Sequence, residues 1–110
     1  MKKSDEERLK KISAYCSEAI AFTNDINQES FLDDLKTIRA VTMTLVQIGE
    51  LVYKISDELK ELYCEVPWRQ IAGLRHRLVH DYGNTDYAAV WEIIRVNIPE
   101  LQNSIKDILK

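Results

Sequence analysis

Residues 73–83 read GLRHRLVHDYG. Two histidines, two arginines, an aspartate and a tyrosine stand together there, bracketed by glycines. Arg69, Arg75, His76, Arg77 and His80 fall in one stretch without an acid, the most basic patch of a chain whose net charge is −3. A guanidinium offers a planar fork of donors matched to phosphate oxygens. A histidine near neutral pH can take a proton from a hydroxyl or return one to a leaving oxygen. Arginine and histidine together suffice for metal-independent RNA cleavage, in which the ribose 2′-OH attacks its own phosphate. The same residues also suit a cationic helix C-terminus, where they complement the macrodipole for roughly a few tenths of a kcal/mol.

Spacing separates these readings. Arg75 and His80 are five positions apart, so on a straight helix they differ by about 140° and do not aim at one atom. Two arrangements bring them together: the helix ends near Val79 and lets His80 swing, or a symmetric partner lays a second copy alongside. Tyr82 returns to the arginine side if helical geometry continues. Taken alone, a tyrosine at a helix end packs its ring and wets its hydroxyl, and Asp81 suits a local hydrogen bond at the turn.

Other chemistries fit less well. His76 and His80 have the i, i+4 spacing of zinc ligands, but no glutamate follows the first as in HExxH and no third ligand is evident, so no metal site is expected. Cys64 is a nucleophile only if a histidine approaches it in space. The glycines form neither GxGxxG nor a Walker loop, and no cofactor is expected. Trp68 and Trp91 suit core anchors better than base-stacking platforms.

The elements that must carry this stretch are helices. With three glycines, two prolines, 45% hydrophobic and 30% charged residues, the 110-residue chain reads as one globular, helix-rich domain spanning 1–110. Leu9, Ile12, Cys16, Ala19 and Phe22 mark an amphipathic first helix from Ser4 to about Asn24, with Ser4 or Asp5 as N-cap. Leu35, Ile38, Val41, Leu45, Ile48, Val52 and Ile55 mark a second from about Asp34 to Ile55. Gly49 lies inside it, where glycine costs about 1 kcal/mol against alanine; close approach of another backbone, or simple tolerance, explains it. The next residue, Glu50, either faces solvent or holds an arginine.

A short helix is expected over Asp57–Tyr63. Pro67 then opens a third long helix with Trp68, Ile71, Leu74, Leu78 and Val79 on its apolar face. Thr85 or Asp86 caps the last, which buries Val90, Trp91, Ile94, Ile98, Leu101, Ile105 and Ile108 and is kinked or split at Pro99. The expected fold is an all-α antiparallel bundle of four long helices plus one short helix.

The totals narrow the setting. An acidic net charge argues against a surface built for duplex DNA, though not against a local basic site. Cys16 and Cys64, with no metal-ligand spacing, read as reduced thiols. No apolar run approaches the ~18 residues of a membrane span, and MKKSDEERLKK is unlike a signal peptide, so a cytoplasmic protein is expected, with no membrane partner.

Arg75, four residues, His80, one residue and Tyr82 give RxxxxHxY, which resembles the signature of the HEPN superfamily and, within it, the HepT-like toxins. SFLDD, QIGE, PWRQIAGLRHRLVHDYG, VW and IPEL follow in the family's order, so the likeness covers nearly the whole chain. The resemblance implies a homodimeric helical bundle whose two copies line a composite cleft, with RNA as substrate and no metal. Arg75 would hold the scissile phosphate and His80 would act as general acid or base. His76 stands where the family favours a polar residue, often asparagine, and is a mild departure. The resemblance also implies a type VII-like toxin–antitoxin pair, with a cognate MNT-type nucleotidyltransferase as antitoxin that transfers AMP to Tyr82 and blocks the nuclease. Arg69 and Arg77 are further candidates for RNA or nucleotide contact, with His76 and Asp81 in support. The rival is a non-catalytic nucleotide-binding or docking subunit of that nucleotidyltransferase.

Overall fold

The computed structural model describes residues 1–80 and 86–110, His80 by its backbone alone, and forms an all-α bundle with no strand among those residues. Helix α1 spans Lys3–Thr23, α2 Gln28–Leu32, α3 Leu35–Lys54, α4 Asp57–Leu62, α5 Trp68–Ala72 and α6 Leu74–His80. Helix α7 spans Tyr87–Glu92, a π-helical turn covers Ile93–Asn97, and α8 runs over Ile98–Ile108. No helix among the described residues is long and apolar enough to cross a membrane.

Helix α1 is the central strut. Leu9, Ile12, Cys16 and Ala19 are fully buried, as their spacing predicts. Phe22 is instead 41% exposed and Thr23 takes the inward place. At about 100° per residue, position 23 stays on the Leu9–Ala19 stripe while position 22 lies about 90° off it. The Thr23 hydroxyl is satisfied by donating to the carbonyls of Ala19 and Ile20. Burial pushes the Cys16 thiol up to about 12, which makes it an inert core residue; Cys64 is exposed.

Polar contacts give the direction of packing. Arg8 donates to the Lys54 carbonyl, and Thr44 to Glu18. Gln102 donates to the Ser13 carbonyl and the Ser17 hydroxyl, and Arg95 to the carbonyls of Thr23 and Ile26. Partners fall along α1 as positions rise along α3 and from the π turn into α8, so both segments run antiparallel to it.

Asp5 is not the N-cap of α1. That place falls to Lys2, whose side chain makes no capping bond. Asp5 is 2% exposed and accepts from the Ser56 amide at 3.0 Å and the Ser56 hydroxyl at 2.5 Å. Ser56 in turn caps α4 by accepting from the Leu59 amide. An exposed cap would leave this aspartate in water, whereas here it ties the start of α1 to the end of α3.

Three departures refine the expected helices. A one-turn helix, α2, lies between the first two long helices, where none was expected: the Asn27 side chain caps it by accepting from the Ser30 amide, and it buries Phe31 against Trp91, with ring centroids 5.2 Å apart. The third long helix is parted at Gly73 into α5 and α6. Pro67 stands just before α5 as its cap residue, and Val79 is exposed where burial was expected. The last helix does divide near Pro99. Proline lacks the N–H that would bond to the Arg95 carbonyl and its ring crowds that group, so the ladder adopts the wider π pattern over Ile93–Asn97 and resumes as α8. Asp86 caps α7, accepting from the amides of Ala88 and Ala89, while Thr85 lies outside the described residues.

Asp5 makes acid stability testable. Burial pushes its carboxyl up, but the Ser56 hydrogen bonds and the charges of Lys2 and Arg8 outweigh it, and the net effect is a lowered pKa. A carboxyl lowered in the folded state stabilises the fold fully above its unfolded value, about 4, and loses that contribution as pH falls through its folded value. Asp5→Asn is expected to cost about 1–3 kcal/mol at pH 7 in urea unfolding. The gap to wild type should close as pH drops below about 4.

Candidate active site

Gly49 decides where the basic stretch sits. A Cβ built on it would lie 3.0 Å from the Arg75 backbone nitrogen, 3.0 Å from the Ile71 carbonyl oxygen and 3.3 Å from that of Ala72. The α5–α6 junction therefore rests directly on the backbone of α3, which is the close approach anticipated for an otherwise costly glycine. The neighbouring Glu50 takes the arginine: Arg75 Nε lies 2.7 Å from Glu50 Oε2. Both side chains are about half exposed, so the pair contributes little stability, about 0–1 kcal/mol. Its effect is directional. A guanidinium held at Nε is turned by that contact and keeps donors on its terminal amino groups for other acceptors.

The break at Gly73 changes what the charges mean. Arg75 and His76 lie in the first turn of α6, not at a helix C-terminus. Cations at the positive end of a helix dipole are mildly unfavourable, so the macrodipole does not account for these two residues. Helix α6 is described as far as His80, one residue past Val79, and about 140° separates the helical positions of Arg75 and His80. The His80 side chain, Asp81 and Tyr82 lie outside the described residues.

The remaining basic candidates converge elsewhere. Arg69, His76 and Arg77 line one groove of about 650 Å³ between α5–α6 and the π turn with α8. Arg77 also donates to the Gln70 carbonyl at 3.2 Å, spanning the α5–α6 junction. Arg75 is not among the groove's residues; it faces α3. The structure thus splits the basic cluster over two sides of α6. The far wall includes Asn97, Glu100 and Ser104, which sequence reading missed. On a helix these are ordinary outward polar residues, and no local pattern marks what they face.

The tryptophans act as anchors. Trp68 is buried and donates from Nε1 to the Tyr63 carbonyl at 3.0 Å. Trp91 packs against Phe31 and carries the Arg95 guanidinium 4.3 Å from its ring centroid. Among the described residues, the cavity that Cys64 lines has no histidine in its lining.

The chain belongs to the family described as Ribonuclease HepT-like, whose model matches residues 12–108. It is 37% identical to "Putative RNase TTE0752" of Caldanaerobacter subterraneus subsp. tengcongensis, over 93% of this chain and 91% of that one. It is 36% identical to "Putative RNase MJ0125" of Methanocaldococcus jannaschii, over 90% and 85%. It is 34% identical to "Probable ribonuclease HepT" of Thermococcus cleftensis over the full length of both. No solved structure matches the chain.

Alanine at Gly49 tests the close approach. In an ordinary helix interior Gly→Ala gains about 1 kcal/mol. Here the new methyl meets backbone, which cannot step aside as a side chain can, so Gly49→Ala is expected to destabilise by about 1–3 kcal/mol. Gly73→Ala is the control: its Cβ would meet nothing nearer than 3.4 Å, and the change should be close to neutral in the same unfolding assay.

Proposed function

We propose that this protein is a metal-independent endoribonuclease, the toxin of a type VII-like pair, working as a homodimer with Arg75 and His80 in the cleft between copies. The observation that carries the reading is the Arg75–Glu50 pair, an arginine braced on an open face in a chain of the HepT-like ribonuclease family. Large apolar residues surround it: Met43 and Tyr53 share its stripe of α3 and are 59% and 74% exposed, and Val79, one turn beyond Arg75, is 45% exposed. Such a face favours association with another protein surface, and a second copy also resolves the 140° separation.

The chemistry follows from the residue types. A 2′-OH forms the new O2′–P bond as the P–O5′ bond breaks. One His80 takes the 2′ proton and the other copy's His80 gives a proton to the leaving 5′ oxygen. Arg75 neutralises charge gathering on the phosphate oxygens. The products are a 2′,3′-cyclic phosphate and a 5′-hydroxyl. With an internal nucleophile and two imidazoles, no step calls for a metal ion. Cytoplasmic RNA is the proposed target.

Purified protein incubated with RNA in EDTA is expected to leave cyclic phosphate ends, with activity falling by about 10²-fold or more in His80→Ala and in Arg75→Ala. Equal activity in wild type and variants would sink the nuclease reading and favour the nucleotide-binding subunit.

Control by an MNT-type nucleotidyltransferase belongs to the same proposal. AMP on Tyr82 would bring negative charge and bulk two residues from His80, against the phosphate of the substrate. Intact mass after incubation with the partner and ATP should rise by one or more adenylates, and should not change in Tyr82→Phe. An unmodified wild type would count against this control.

A further inference from the structure

The residues described as lining the groove on the other side of α6 have no part in the chemistry above. We propose that it is a subsite for an unpaired RNA nucleotide adjoining the scissile phosphate, an inference that rests on the nuclease reading. Counting from Arg75, His76 stands at about 100° around α6, His80 at about 140° and Arg77 at about 200°. The helical position of His80 therefore falls between two residues of the groove wall. A strand whose phosphate is engaged by the Arg75–His80 pair has its next nucleotide directed over this side of α6.

The lining suits a nucleotide rather than a bare anion. At about 650 Å³ the groove is in the size range of small-molecule sites, about 300–1,000 Å³. Leu74 and Leu101 form an aliphatic floor and the partly buried Ile93 stands beside them, so a flat base can cover apolar surface there. Arg69 and Arg77 on the near wall suit phosphate oxygens. Across from them Asn97, Glu100 and Ser104 suit a base edge: an asparagine amide can both donate and accept, and a carboxylate accepts from exocyclic amino groups. The Glu100 carboxylate on that wall would repel a lone phosphate, which argues for base recognition. Asn97 ends the π turn, the one place where the ladder of α7–α8 departs from α-helix, and such turns recur at functional sites.

Unpaired RNA is recognised through splayed bases, so the groove should set where the enzyme cuts and how tightly it holds the strand. The test uses a fluorescent single-stranded RNA pool, 2′-O-methylated to prevent cleavage, and an unmodified long RNA mapped by end sequencing. The variants are Asn97→Ala/Ser104→Ala and a groove-filling Ser104→Trp, with thermal melting to confirm folding. Loss of two polar base contacts is expected to weaken binding of the pool about 10-fold. It should also shift the distribution of cut sites and raise KM more than it lowers kcat. Ser104→Trp should do the same by exclusion. Affinity and cut sites unchanged in folded variants of both kinds would overturn the subsite. If wild type cuts no RNA, the nuclease reading fails by itself. Binding then decides the subsite: an affinity that drops in the variants supports it, and one that stays level overturns it.

Discussion

Backbone rests on backbone where the α5–α6 junction meets Gly49, and the placement of the basic residues on α5 and α6 depends on that contact. A side chain there would push the junction away from α3 by some fraction of an ångström, and Glu50 would no longer meet Arg75 at 2.7 Å. The same contact presents the opposite side of α6 to the π turn and α8, so it also sets the width of the groove. One glycine thus positions two surfaces. The ion pair itself is too exposed to hold the helices together; buried aliphatic residues do that, and the pair supplies orientation.

The scaffold behind the junction is tied at its ends by directional contacts. Asp5 joins α1 to the cap of α4, and Arg95 joins the π turn to the carbonyls that end α1 while resting on Trp91. Gln102 makes a further link between α1 and α8. Because α3 and α8 both register on α1, the two walls that flank α6 keep a defined separation. Apolar packing alone would leave the helices freer to slide, since it is non-directional.

Arg75 and His76 occupy a position that stability does not favour. Arg75 loads positive charge onto the first turn of a short helix, against its dipole, and stays half exposed to solvent. Local choices that oppose the fold's own preferences tend to mark function. Here the opposition agrees with family membership, and with an exposed apolar stripe beside the same residues. On the proposed reading, Arg75 brings the chemistry to the α3–α6 face and the groove serves recognition.

Sequence by itself determined the helical class, the inward faces of the main helices, a cap at Thr85 or Asp86, and the interruption near Pro99. These follow from periodicity and from proline and capping chemistry, which act within a few residues. It also singled out Gly49 and Glu50, because a glycine inside a strong helix demands a reason. Only tertiary structure decided which backbone Gly49 meets and which arginine Glu50 holds, for a residue's periodicity tells that a face is covered and not by what. The parting at Gly73, the inward turn of Asp5 and the groove shared by Arg77 and Ser104 depend on contacts between segments distant along the chain. Polar residues on a helix carry no local sign of such partners. That is why GLRHRLVHDYG read as one cluster, whereas in the folded chain its described basic residues lie on two sides of a helix.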